Sequence, residues 1–210
     1  MSATLLRIHP DNPEGRKIKQ AVEIIRNDGV IIYPTDTVYG LGCDITNNKA
    51  VERICRIKGI KPAKATFSFI CPDLSNISFY TKPFSSNVYK IMRKNLPGPF
   101  TFILKASSQV PKLLKNNRKQ VGIRVPNSPI VTALLEQLDA PIMSTSISLP
   151  DDITPYPTDP EEILDHYKHQ VDLIIDGGSC GLERTTVVDL ANGVPQLLRI
   201  GKGDPSPFLQ

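Results

Sequence analysis

Apolar residues recur along this chain at two spacings, and the alternation between them lays out an α/β order. Ile18, Ala21, Val22 and Ile25 fall three and four residues apart. With Pro13 near the start and Gly29 after the end, they predict a helix over 11–28. Helical spacing recurs over 47–57, where Val51, Ile54 and Cys55 point inward, over 86–95, and over 129–138. Asp159-Pro160 reads as an N-cap followed by proline and predicts a helix through Tyr167. Between these lie short apolar runs rich in β-branched and aromatic residues. They predict strands over 2–8, 30–33, 66–70, 100–106, 121–125, 141–148, 171–175, 186–190 and 196–200. Helices and strands alternate early and strands crowd the end, which predicts a mixed parallel and antiparallel sheet with flanking helices. No repeat or long linker interrupts the order, and the proline-rich stretch 149–160 is the one loop of note. At 210 residues the expectation is a single α/β domain over 1–210.

Composition narrows the classes. An apolar content of 40% supplies a sizeable core, and no run approaches a membrane span. The start of the chain has no export pattern, so a cytoplasmic protein is expected. Cys43, Cys55, Cys71 and Cys180 lack zinc spacing and lie far in sequence from His9, His166 and His169. Four reduced, mostly buried thiols and no metal site are expected.

Charge changes the picture more. The chain carries 25 basic and 21 acidic residues, for a net +4. From Lys58 to Arg124 there are thirteen Lys or Arg and one acid, Asp73, a segment of net +12. The flanks then hold twelve cations against twenty acids. Such asymmetry points to an anionic partner, either nucleotide phosphates or nucleic acid, or else to a solvated face.

Polar clusters sit where apolar strands end. Val30-Ile31-Ile32-Tyr33 stops at Pro34 and runs into Thr35, Asp36, Thr37 and Tyr39, then Gly40 and Gly42. This places either a binding turn, with glycines where backbone can approach a ligand, or hydroxyls that cap their own backbone. Asp36 can take a substrate amine or hold the turn. Ser144-Thr145-Ser146-Ile147-Ser148 ends another strand, and Thr185-Thr186 opens one. Such hydroxyls suit phosphate oxygens. Arg124 and Arg199 can fork onto phosphate or carboxylate. Arg124 alternates with Ile123 and Val125 and so faces away from them, toward an open face or solvent. Lys58 follows a predicted helix end, where the dipole alone would favour it. Neither phosphate-loop glycine motif is present, nor a Ser-His-Asp pattern.

Together these strings resemble the YrdC/YciO family of threonylcarbamoyl-AMP synthase-like proteins. The resemblance rests on Tyr33-Pro34-Thr35-Asp36-Thr37-Val38-Tyr39-Gly40-Leu41-Gly42, Ile57-Lys58-Gly59 before Pro62, and Pro97-Gly98-Pro99-Phe100-Thr101. It continues through Gly122-Ile123-Arg124-Val125-Pro126, Ser144-Thr145-Ser146 and Thr185-Thr186-Val187-Val188-Asp189-Leu190. It implies a twisted sheet around a basic concave face. It also implies formation of threonylcarbamoyl-adenylate from L-threonine, bicarbonate and ATP, with Mg2+ carried by ATP, for tRNA modification. Lys58, Lys61, Ser146 and Ser148 would then be catalytic. Thr35, Arg124, Ser144 and Thr185 would hold substrate, and Thr186 and Arg199 would join Lys58, Lys61 and Ser146 around ATP. The partners implied are tRNA or double-stranded RNA, and no membrane.

The chain departs from the synthases' pattern. Their Lys-x-Arg-Pro string is Lys58-Gly59-Ile60-Lys61-Pro62 here, one residue longer and with Lys for Arg. Ser148 stands where they place an Asn, Ala65 for a second Asn, Ile70 for a His, and Arg184-Thr185-Thr186 for Glu-Ser-Thr. These changes bring it closer to the YciO-like branch, for which nucleotide or double-stranded RNA binding with weak or no synthase activity is the alternative.

Overall fold

Among the described residues ten strands join one mixed sheet in the order β1-β8-β2-β3-β7-β4-β6-β5-β9-β10. The computed structural model describes residues 2–62, 65–114, 119–148 and 156–209. The strands are β1 (Thr4–Arg7), β2 (Ile31–Tyr33), β3 (Gly40–Asp44), β4 (Ser68–Ile70), β5 (Phe100–Lys105), β6 (Gln120–Arg124), β7 (Ile142–Ser146), β8 (Leu173–Asp176), β9 (Thr186–Asp189) and β10 (Gln196–Arg199). The helices are α1 (Gly15–Arg26), α2 (Asn48–Ile57), α3 (Ile77–Tyr80), α4 (Ser86–Asn95), α5 (Pro129–Leu138) and α6 (Pro160–Tyr167). Parallel pairs β1–β8, β2–β8, β4–β6 and β5–β9 mix with antiparallel pairs, as the element order predicts. Most of the proline-rich stretch, 149–155, lies outside the described residues.

Local chemistry sets the helix ends. Asn47, Ser85, Ser128 and Asp159 each accept a backbone N–H from the first turn of the helix that follows. Asp159-Pro160 opens α6 where the sequence predicts it. Two elements have no counterpart in the apolar pattern. The four-residue α3 is too short to show a period. β3 is a strand made of Gly-Leu-Gly-Cys-Asp, and glycine pulls strand propensity down. It forms because it lies between β2 and β7, pairing with both. A Cβ on Gly42 would meet Ile142 Cγ2 at 2.7 Å and the Met143 carbonyl oxygen at 2.8 Å. That glycine therefore serves strand packing and not the approach of a ligand.

The two faces of the sheet are covered unequally. On one face Phe69, Phe102, Leu104, Val121, Ile123, Met143 and Val188 pack under Val51 and Ile54 of α2, Ile77 of α3, Val88 and Met92 of α4, and Ile163 of α6. On the other face α1 and α5 pack over Ile31, Tyr33, Leu173, Ile175 and the near ends of β4 and β7 at Ile70 and Ile142. Beyond those positions no helix among the described residues packs over that face of β7, β4, β6, β5 and β9.

Candidate functional site

The uncovered face holds a cavity of about 620 Å³, within the usual range for a small-molecule site. Its floor follows from register. Ser144 pairs with Gly42 and Ser68, Ser68 pairs with Gly122, and Gly122 with Ile103. Residues opposite one another share a face. The floor is thus built from the small or hydroxylated Ser144, Ser68 and Gly122 with Ile103 beside them, and Gly122 leaves only 3.0 Å between a would-be Cβ and Ser68 Oγ. The alternate residues of the same strands, Phe69, Ile123 and Phe102, are the core of the other face.

Arg124 enters from β6 and is buried at 8% exposure. Its Nη2 donates to Thr35 Oγ1 (3.0 Å), Asp36 Oδ1 (2.5 Å) and Thr37 Oγ1 (2.7 Å). Of the two destinations open to it from alternation, it takes the face and not solvent. Asp36 also accepts the Asn127 backbone N–H through Oδ2, so its carboxylate holds the turn and the arginine together. Arg124 Nε is the only buried side-chain nitrogen or oxygen without a partner among the described residues. A buried donor left unpaired is costly, and this one belongs to a residue that lines the cavity.

Arg199 reaches the same cavity through a bulge. Leu197 pairs with Val188 on the core face, yet Arg199 pairs with Val187, which lines the cavity. The extra residue, Leu198, swaps the parity of the strand and re-aims Arg199. Arg199 Nε and Nη2 then chelate the Thr185 carbonyl oxygen at 3.0 and 2.9 Å, and Nη2 also donates to Thr185 Oγ1. That hydroxyl shares a 2.8 Å bond with Thr101 Oγ1. Arg184, exposed and stacked 5.2 Å from the Tyr156 ring centroid, completes the cationic wall.

Lys58 caps the C-terminal end of α2. Its Nζ donates to the Ser146 carbonyl oxygen (3.0 Å) and to Ser148 Oγ (2.9 Å). Tyr167 holds Ser148 in place by donating to its carbonyl oxygen at 2.7 Å. Burial first, and then the charge of Arg184, disfavour the ammonium of Lys58 and the guanidinium of Arg199. Lys58, Arg124, Arg184 and Arg199 thus stand at or beside the cavity, where among the described residues Asp36 pairs with Arg124 alone, and Lys202 donates to the Asp36 carbonyl oxygen. A bound anion would relieve the repulsion among those cations.

The sequence-predicted residues divide. Ser144, Ser146, Thr185, Arg124 and Arg199 line the cavity. Lys58 and Ser148 join it through Ser146. Thr35 flanks it, but its hydroxyl is used up: it donates to the Val38 carbonyl oxygen at 2.6 Å and accepts from Thr37 N and Arg124. Thr186 faces the core, fully buried, donating to the Gly203 carbonyl oxygen and accepting from Gly201 N. It anchors the C-terminal segment and does not line the cavity. Lys61 is exposed and stands outside the lining. Thr37 of the polar turn after β2 also lines the cavity, as do Ser68, Thr101 and Arg184, which the sequence does not make candidate site residues. The two-residue period shared with Ile70 and Ile103 is the signal for Ser68 and Thr101, while nothing local marks Arg184. Among the described residues no group of three His, Cys, Asp or Glu could hold a metal ion. Cys43, Cys55 and Cys71 are buried free thiols and Cys180 a partly buried one.

A mixed α/β sheet with a cationic, hydroxyl-bearing cavity on its half-covered face is the architecture of the described residues. The Sua5/YciO/YrdC family model, described as telomere recombination, matches residues 23–201, and the chain belongs to that family. It is 51% identical over 205 residues to the YciO protein of Escherichia coli K12, covering 96% of this chain and 97% of that one. It is 31% identical over 187 residues to the threonylcarbamoyl-AMP synthase of Pyrococcus abyssi, covering 88% of this chain and 54% of that protein. The crystal structure of E. coli YciO superposes with a TM-score of 0.91 at 48% identity, over 99% of this chain and all of that one. P. abyssi Sua5 complexed with L-threonine gives 0.86 at 29% identity, over 95% of this chain and 58% of that one.

Proposed function

We propose that this cavity binds ATP and L-threonine and that the chain forms threonylcarbamoyl-adenylate from them with bicarbonate. One observation carries the reading: three arginines and several hydroxyls line one cavity on the open sheet face, and among the described residues no carboxylate is in that lining. The threonine amine attacks the carbon of bicarbonate, and water leaves to give a carbamate. A carbamate oxygen then attacks the α-phosphorus of ATP, the bond to the β-phosphate bridging oxygen breaks, and pyrophosphate departs with Mg2+. Such a transfer asks for cations and donors around the phosphates more than for a strong side-chain base. Arg199 and Arg184 face the phosphates in this reading, Arg124 Nε takes a carboxylate oxygen of the amino acid, and Lys58 orders the Ser146–Ser148 segment. The resemblance to a synthase complexed with L-threonine supports the amino-acid half.

A second reading rests on Ser148 and Lys61. Ser148 Oγ is engaged by Lys58, and Lys61 stands outside the cavity. Both positions differ from the synthase pattern, which favours nucleotide binding with slow turnover. The test is pyrophosphate release with ATP, threonine and bicarbonate, with the adenylate identified by mass. Threonine- and bicarbonate-dependent release supports the first reading, and ATP binding without it supports the second. Lys58→Ala is expected to weaken ATP binding by about 1.5–3 kcal/mol in calorimetry. Unchanged affinity there would remove Lys58 from the site.

A further inference from the structure

The cations of the basic segment do not share one face. Arg124 lies in the cavity, but Lys90, Arg93 and Lys94 lie on α4, which packs through Val88 and Met92 on the opposite face of the sheet. All three are exposed. Two cations at helix ends are matched with acids three residues away: Lys17 with Glu14 by α1, and Lys168 with Asp165 by α6. α4 has no acid at all, and none of the ion pairs among the described residues involves it. Lys90 and Lys94 stand four apart, a like-charge spacing that weakens a helix until an anion covers it. Two aromatic rings are exposed on α4 and on α3, whose Ile77 packs in the same core as Val88 and Met92: Tyr89, at 40%, one turn before Arg93, and Phe79, at 55%, edge-on to Tyr80 at 5.0 Å. Phe79 belongs to α3, whose end is tied to the β5 end: Ser107 donates to the Phe79 and Tyr80 carbonyl oxygens, and Lys82 N donates to the Lys105 carbonyl oxygen. Lys82 and Lys105 are both exposed.

We infer that the outer face of α4, with Tyr89 and the Phe79–Lys82 corner, is a binding surface for single-stranded nucleic acid, separate from the cavity. Unpaired cations track a phosphate backbone, and exposed rings between them offer faces on which unpaired bases stack. An acidic protein would use the charges but not the rings, and a duplex hides its base faces. This inference does not rest on the proposed synthase activity.

The test is fluorescence anisotropy of the full chain with a labelled oligouridylate of about 15 nucleotides, titrated between about 50 and 200 mM salt. Replacing Lys90, Arg93 and Lys94 together by Ala is expected to lower affinity about tenfold or more and to flatten the salt slope by about 2. Tyr89→Ala is expected to lower affinity about fivefold or more. Both variants are expected to keep wild-type ATP binding, which keeps this result distinct from the cavity's. No binding by the wild type at low salt would overturn the inference, as would variants that bind like it. A duplex of equal length bound more tightly, or displacement of the strand by polyglutamate at equal charge, would overturn it too.

Discussion

Tyr33 shows how far a single side chain's role depends on surroundings that its neighbours in sequence do not reveal. Its phenol, fully buried under α1 and α5, donates to Ser144 Oγ at 2.7 Å on the cavity floor. Burial pushes it up to about 12, from 10.0. In the unfolded chain the phenol ionises as pH passes 10, while in the folded chain it stays neutral until about 12. Its contribution is therefore complete below pH 10 and lost as pH climbs toward 12. The loss is on the order of 2–3 kcal/mol. Urea unfolding is expected to show a midpoint that falls over this range, with a shallower fall in Tyr33→Phe; equal slopes would refute the assignment. The Thr35, Thr37 and Tyr39 hydroxyls were legible as a cluster. Thr35 caps its own turn through Val38 O and Thr37 N, one of the two readings open from sequence, whereas Arg124 and Gly178 O arrive from the fold.

At the scale of elements, period and punctuation did most of the work. α4, α5 and α6 run over the residues that spacing and caps predict. β3 escaped, since its two glycines read as loop and only the strands on either side make it a strand. That origin has a consequence. Gly42→Ala would press a methyl group into Ile142, Met143 and the Tyr33 ring, and is expected to destabilise the protein by about 1–3 kcal/mol through overpacking. A urea midpoint equal to wild type would mean that β2 and β7 can part at no cost. The β10 bulge escaped for a related reason. A strand read alone puts Leu197 and Arg199 on one face, and only the partner strand shows that Leu198 is the extra residue.

For the whole molecule, the decisive feature is a sheet that two helices cover over half of one face. Ligand binding to the uncovered half would stabilise the folded chain by mass action, by about 2.7 kcal/mol at a hundredfold excess over Kd. For a chain of this size that raises Tm by roughly 5–10 °C. ATP with threonine is expected to give such a shift, reduced in Arg124→Met; an unmoved Tm at saturating ATP would argue against the cavity as its site. The sequence by itself determined the kinds of element, most of their bounds, the mixed α/β class, the charge asymmetry and the strings that carry the family resemblance. These depend on spacing and on near neighbours, and a linear pattern preserves both. Strand order, the open face, the separation of the cavity's cations from those of α4, the spent hydroxyl of Thr186 and the entry of Arg184 were decided by tertiary structure. Each depends on which distant segment lies across a strand, and that choice is made by packing energies between residues far apart in the chain.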